Sequence, residues 1–434
     1  MRKKKTFKVS DIVAFRNHLL EWGNQFYESV WLESNSHTDR YSSFDTILAT
    51  DALTSIQTDA HNAFEDLKEY LNERKDWVFG YLSYDLKNDV ERLFSNNHDG
   101  LYFPELYFFQ PKRIIRIKGD LAEFLYLNMV ADEIDDDFEA ILNYSRTKTI
   151  QTETTSDIRI KLRIFKDEYF RGAEEMLRHI HRGDIYEANF CQEFYAEDTM
   201  IDPLKTYQKL NEISKAPFAT FLKLNDKYLL SASPERFLRK MGQKIVSQPI
   251  KGTAKRSTDI YEDVRLRKSL KKDQKERAEN IMIVDLVRND LSKSALKGSV
   301  NVEKLCEIYS YEQVHQMVST ITSKVAKNKN PIEIIKESFP MGSMTGAPKV
   351  SAMKIIEKLE SFKRGLYSGA VGYFTPDSDF DFNVVIRSIL YNATEKYVSY
   401  SVGSAITSKA IPEKEYEECL LKAKAMREVL EGTI

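Results

Sequence analysis

Several short stretches of the chain carry side chains that chemistry could use. Lys251 stands in Pro-Ile-Lys-Gly-Thr, with Pro249 and Ile250 before it and Gly252 and Thr253 after it. A lysine held between apolar residues and a tight backbone can be desolvated. That lowers its pKa and exposes a nucleophilic amine. The same pattern also describes a solvated lysine in a turn. Glu235, in Ser-Pro-Glu-Arg, is either half of a surface ion pair or a carboxyl beside a pocket, fit to act as a general acid.

Two pairs of glutamates share one spacing. Glu276 and Glu279 lie in KERAENIMIVDL, and Glu415 and Glu418 in PEKEYEECLL. A spacing of three puts both members of a pair on one helix face. Two such helices facing each other would converge four carboxylates. Mg²⁺ needs only one or two of them, besides water and an anionic ligand. Exposed charged helices also carry this spacing, but Glu279 borders the apolar run Ile281–Val284. Asp285, Arg288 and Asp290 interrupt the apolar pattern that follows and fit an ion-pair and capping network better than catalysis. The stretch Gly342-Ser-Met-Thr-Gly-Ala-Pro-Lys349 precedes a helical pattern. Free N–H groups at such a point favour an anion. Ala347 and Pro348 interrupt any Walker-type Gly-Lys-Ser/Thr, so a carboxylate ligand fits the segment as well as a nucleotide does. Arg387 could grip a carboxylate, Gly403-Ser404-Ala405 could let backbone approach a ligand, and Tyr367 lies nearby in sequence. Each has an ordinary structural reading too, as does the lone His315.

The elements that must position these residues are partly legible. Tyr169, Ala173, Met176, Leu177 and Ile180 form one helical stripe, closed by Gly183. A second helix starts at Pro412, with Tyr416, Leu420, Ala423, Met426 or Val429, and Leu430 on its stripe and Gly432 after it. Strands are expected at 77–82, 101–109, 185–195, 218–224 and 227–232. A meander of 371–375, 383–391 and 397–402 precedes the last helix. Strands and helices mix without strict alternation, which makes the fold class α+β. The polar stretch Ser145–Asp157 predicts a linker between an N-terminal domain, 1–150, and a larger catalytic domain, 158–432.

Length and composition narrow the function further. The 434 residues are 42% hydrophobic and 30% charged, enough for a substantial core and against wholesale disorder. Lysine and arginine total 64 against 66 acidic residues, which argues against a general nucleic-acid partner. Three scattered cysteines, Cys191, Cys306 and Cys419, make neither a disulfide framework nor a zinc ribbon. With no apolar run near the ~20 residues of a membrane span and no signal-like N-terminus, a cytoplasmic protein is expected.

Taken together and in order, the motifs resemble one family, the chorismate-utilising enzymes. The matching segments are GDIYEANF (183–190), SPERF (233–237), PIKGT (249–253), AENIMIVDLVRNDL (279–292), GSMTGAPK (342–349), GLYSGAVGYF (365–374), VVIRS (384–388) and EYEECLLKAKA (415–425). The resemblance spans roughly residues 160–430. The earlier part is similar to the first domain of anthranilate-synthase-type large subunits, with Trp31-Leu-Glu-Ser where relatives carry Leu-Leu-Glu-Ser. Trp31 thus replaces a leucine near the pocket that binds tryptophan in some relatives, and no feedback control is expected. The resemblance implies a two-lobed antiparallel β-sandwich flanked by helices.

Within the family, anthranilate-forming members carry alanine at the position of Lys251, whereas members that aminate chorismate at C4 carry lysine. Isochorismate-forming members place a water-activating lysine where this chain has Glu187. The resemblance therefore implies amination of chorismate, with an anthranilate-forming enzyme or a non-catalytic chorismate-binding subunit as alternatives. It implies Lys251 as nucleophile, Glu235 as acid and His315 near the ring. Mg²⁺ would sit on Glu279 and Glu418, supported by Glu276 and Glu415. Substrate contacts would come from Gly252, Thr253, Ser343, Tyr367, Arg387, Gly403, Ser404, Ala405 and Lys422. No cysteine lies in a Gly-x-Cys-x-Gly turn, so ammonia is expected from a separate glutamine amidotransferase subunit. Two departures stand out. Glu187 replaces the family's usual glutamine, and would repel an anionic substrate unless it pairs with Lys251 or is protonated. Ala405 stands in a clamp normally richer in glycine, and requires a negative φ.

Overall fold

The computed structural model describes residues 2–37, 39–144, 154–155, 157–311 and 314–432. Of the expected linker only Thr154, Thr155 and Asp157 fall among them; the rest lies outside the described residues.

Two antiparallel layers face each other. One runs, in spatial order, Lys161–Leu162, Glu187–Ala196, Tyr397–Thr407, Ser388–Asn392, Lys227–Ser233, Phe218–Leu224, Glu28–Glu33, Thr46–Thr58, Leu106–Lys118, Leu121–Leu127 and Arg2–Lys8. The other runs Asn301–Ser310, Val314–Lys324, Lys244–Gln248, Arg236–Met241, Phe380–Val384, Ala370–Phe374 and Val78–Leu82. Ile250–Lys255 continues the line of Lys244–Gln248 along Val314–Lys324. The layers join because Leu106–Lys118 is long enough to serve both: its first residues pair with Val78–Leu82 and its last with Leu121–Leu127.

The alternation of side chains along the strands explains the two cores. Val30, Leu32, Ile47, Ala49, Leu222 and Leu229 point between the layers, where Phe79, Phe108, Phe374 and Phe382 meet them. Their neighbours Trp31, Leu48, Phe221 and Leu230 point outward onto the helices. The stripe Tyr169, Ala173, Met176 and Ile180 of helix Lys166–Arg182 covers that face, with Tyr416, Ala423, Met426 and Leu430 of helix Pro412–Glu431. Gly183 ends the first of these helices at φ +87°, as its position suggests.

Segments on either side of the expected boundary share both layers. Glu28–Glu33 pairs with Phe218–Leu224, and Val78–Leu82 with Ala370–Phe374. Two strands differ from expectation. Residues 101–104 are not strand: Tyr102 is left-handed at φ +53°, Pro104 has no N–H to donate, and the strand begins at Leu106. The span 383–391 is two strands, ending at Val384 and restarting at Ser388, because the chain there passes from one layer to the other. The three cysteines are buried and unpaired, and no helix among the described residues is long and apolar enough to cross a membrane.

Candidate active site

Lys251 and Glu235 come together beside the ends of helices Gln274–Ser294 and Pro412–Glu431. Gly252 makes the first approach possible. Its φ is +96°, and a Cβ there would stand 3.0 Å from Glu276 Oε2. Asn280, fully buried, anchors the same strand by donating from Nδ2 to the carbonyls of Lys251 and Met317, each at 3.2 Å. The sequence reading overlooked this residue, although its place beside Glu279 at the start of the apolar run marked it as buried.

Lys251 Nζ lies 3.2 Å from Glu187 Oε1. A desolvated, neutral amine, one of the two readings of the motif, is not what this surrounding produces. Burial pushes the ammonium down, but Glu187, Glu279 and Glu418 outweigh it, and the pKa is raised. The pairing of Glu187 with Lys251 meets one of the two conditions under which that glutamate is compatible with an anionic ligand. Glu235 is the opposite case. It is buried, and desolvation lifts its carboxyl to about 7, against the lowering effects of Ser343 and of Lys251. Ser343 Oγ donates to Glu235 Oε1 at 2.7 Å. A carboxyl titrating there can hand over a proton at neutral pH.

The two glutamate pairs converge as their spacing predicts. Burial raises Glu279 to about 7 despite Lys251 and Lys275, and raises Glu276, helped by the charge of Glu418. Burial would raise Glu418 too, but Lys422, 2.6 Å away, holds it below the ordinary range. Glu415 is buried, accepts from Ser404 Oγ, and lies 3.4 Å from Lys275 Nζ, which is itself 3.7 Å from Glu279. Lys275 thus bridges the helices, a role with no signal in the sequence beyond its neighbour Glu276. Glu279 Oε1 is buried with no hydrogen-bond partner. Among the described residues no three acidic, His or Cys side chains enclose a metal by themselves. Mg²⁺ asks for less, and an orphaned carboxylate oxygen is the donor type it takes.

The other predicted residues fall into three groups. Arg387 is partly buried, left-handed at φ +53°, and sits at the crossing between layers; no carboxylate among the described residues pairs with it. Burial lowers its pKa, with Tyr367 and Glu418 countering. Tyr367 is buried with its hydroxyl 3.9 Å from Cys191 Sγ. Gly403, Ser404 and Ala405 lie on strand Tyr397–Thr407. A Cβ on Gly403 would meet Cys191 Sγ at 2.6 Å, and its carbonyl accepts from Lys422 at 2.8 Å. Ala405 is not among the residues of positive φ, so the departure from glycine costs no strain. Thr253 is exposed on its strand. His315 is buried with both ring nitrogens engaged, Nδ1 with Ser310 Oγ at 2.8 Å and Nε2 with Asp263 Oδ1 at 3.0 Å. It has no nitrogen left for a ligand in this arrangement. The glycine-rich turn 342–346 also departs from expectation. Ser343 serves Glu235, and Lys349 is drawn to Asp290 and to the carbonyls of Ser338 and Pro340.

Known proteins resemble this chain in sequence and in fold. The chain is 44% identical over 269 residues to a probable chloroplastic aminodeoxychorismate synthase of Oryza sativa subsp. japonica, covering 61% of this chain but only 30% of that protein. It is 33% identical to anthranilate synthase component 1 of Thermus thermophilus, over 82% of this chain and 77% of the relative. The crystal structure of anthranilate synthase component I from Streptococcus pneumoniae TIGR4 superposes with a TM-score of 0.77 at 23% identity, covering 90% of this chain and 94% of the other. That likeness establishes the α+β sandwich as a shared fold. The family model for chorismate binding enzymes matches residues 27–428, nearly the whole chain, and the protein belongs to that family.

Proposed function

We propose that this chain forms 4-amino-4-deoxychorismate from chorismate and ammonia. The observation that carries the reading is Lys251, a largely enclosed amine within electrostatic reach of a carboxyl that titrates near neutrality, Glu235. A lysine there can displace at C2 while Glu235 protonates the departing C4 hydroxyl; ammonia then attacks C4 and expels the lysine. The 44% identity to a protein named as an aminodeoxychorismate synthase supports this over the anthranilate-forming alternative.

The guanidinium of Arg387, which no carboxylate among the described residues pairs, is suited to a substrate carboxylate, with Tyr367 within electrostatic reach. The backbone of 403–405 and Lys422, which donates to the Gly403 carbonyl, would add substrate contacts, and Ser343 orients the acid. Glu279 and Glu418 would hold Mg²⁺, with Glu276 and Glu415 in support. Bound there, the ion would neutralise a carboxylate of chorismate and fix the ring. The ammonia would come from a glutamine amidotransferase subunit, and the setting would be the cytoplasm. The test is direct. Supply the protein with chorismate, Mg²⁺ and an ammonium salt, and identify the product by mass. Aminodeoxychorismate without pyruvate is expected. Anthranilate with pyruvate would overturn the reading, and binding without turnover would leave only a chorismate-binding role.

A further inference from the structure

The nucleophile of this reading rests in the wrong protonation state for attack. Its ammonium faces Glu187 at 3.2 Å from strand Glu187–Ala196. It feels Glu279 from helix Gln274–Ser294 and Glu418 from helix Pro412–Glu431. Glu276 and Glu235 feel its charge in return. An amine paired with a carboxylate at 3.2 Å rests as an ammonium and cannot attack carbon until a proton leaves. Of the five carboxyl groups, Glu187 alone has an oxygen within ion-pair distance of Nζ. Glu235 is engaged by Ser343, and Glu418 by Lys422. Glu187 is also enclosed, its side chain 4% exposed, so a proton placed on it is shielded from bulk water. Its backbone is fixed on both sides, by Thr407 across one strand pair and Ala347 across the other.

Resting on the proposed amination, we propose that Glu187 is a catalytic base that takes a proton from Lys251 at the moment of attack. The cycle balances. A proton passes from Lys251 Nζ to Glu187. The freed lone pair forms the bond to C2, the ring π electrons shift, and the C4–O bond breaks. The proton of Glu235 leaves with the hydroxyl as water. The lysine nitrogen remains a secondary ammonium, a competent leaving group. Ammonia forms the C4–N bond, the C2–N pair returns to Lys251, the new ammonium gives its extra proton to Glu235, and Glu187 returns its proton to Lys251. One ammonia enters and one water leaves. Glu187 thereby replaces a repulsive charge near the substrate with a neutral acid for the lifetime of the adduct.

The test compares wild type with Glu187→Gln between about pH 6 and about pH 9, in the ammonium-dependent reaction and in formation of the Lys251 adduct without ammonia, followed by intact mass. If Glu187 is the base, the variant loses roughly 100-fold in kcat near pH 7 and gains an acid limb. In adduct formation, where no ammonia titrates, its rate then climbs about tenfold per pH unit below about pH 7, while Glu235 stays protonated, because solvent must now remove the proton. Wild type lacks that limb, and chorismate affinity stays within about threefold. A merely structural Glu187 would lower activity equally at every pH, which overturns the proposal. Its removal could instead just free a neutral amine. The variant would then match or exceed wild type throughout, with the same outcome for the proposal. Absence of aminated product from wild type as well would sink the functional reading itself, a result distinct from either.

Discussion

Two regions of the molecule bury charge, and they do it in opposite ways. At the seam between the N-terminal strands and the second layer, Arg236 is 2% exposed and fully engaged. Its Nε meets Asp381 at 2.9 Å, its Nη1 meets Asp39 at 2.8 Å and Gln248, and its face lies over Phe218. Arg239 closes the group onto Asp381 at 2.9 Å. In the cleft, Arg387 has no carboxylate partner among the described residues, Glu279 has a buried oxygen without a hydrogen bond, and Glu235 and Glu279 are lifted to about 7. A satisfied buried cation holds strands together. Buried groups left with unfilled valence await a ligand that will fill it.

Substitutions can break this contrast or sharpen it. The largest effect expected is at the nucleophile. Lys251→Ala should lower ammonium-dependent turnover roughly 1,000-fold or more while circular dichroism and melting stay close to wild type. Retained turnover would put the cleft's chemistry elsewhere. Next comes the seam. Arg236→Met leaves Asp381 and Asp39 short of a partner and should cost about 3–5 kcal/mol in denaturant unfolding, with the KM for chorismate of the folded remainder unchanged. A neutral result would remove the distinction between the two regions.

Glu235→Gln should lower turnover about 100-fold or more and abolish the fall in activity as pH rises through about 7. The sign for stability follows from the raised pKa. The carboxyl favours folding below its ordinary range, and that contribution is lost as pH climbs through about 7. Above that pH the glutamine variant should therefore be the more stable protein, by about 3 kcal/mol, and the gap should close below about pH 4.5, the carboxyl's ordinary value. Smallest is Arg387→Asn, which keeps a residue tolerant of positive φ. It should raise the KM for chorismate about 10- to 100-fold with little loss of stability. Equal destabilisation at Arg236 and Arg387 would mean that both arginines are structural.

Legibility in the sequence followed the range of the forces involved. The helix from Pro412 and the strand 218–224 were readable to within a residue, because stripes, alternation and terminal Pro or Gly are local properties. Glu276, Glu279, Glu415 and Glu418 were readable as two pairs, since the helix itself sets that spacing. The break at 385–387 was hidden, because both flanking strands are apolar and only the existence of two layers makes the chain cross there. Asn280 and Lys275 were hidden for a similar reason. Their partners lie on other elements, Met317 on a strand of the second layer and Glu415 on the last helix.

The sequence by itself determined which chemical groups exist and on which faces of their own elements they lie: one lysine after Pro-Ile, one carboxyl after Ser-Pro, two acidic helix faces, and a family pattern across most of the chain. Protonation was decided only by the tertiary structure. Local context left Lys251 open between a desolvated amine and a solvated ammonium. Folding set Glu187 at 3.2 Å and brought two further carboxylates within electrostatic reach. A pKa is the sum of desolvation and charges from distant parts of the chain, and only their assembly in space gives that sum its sign.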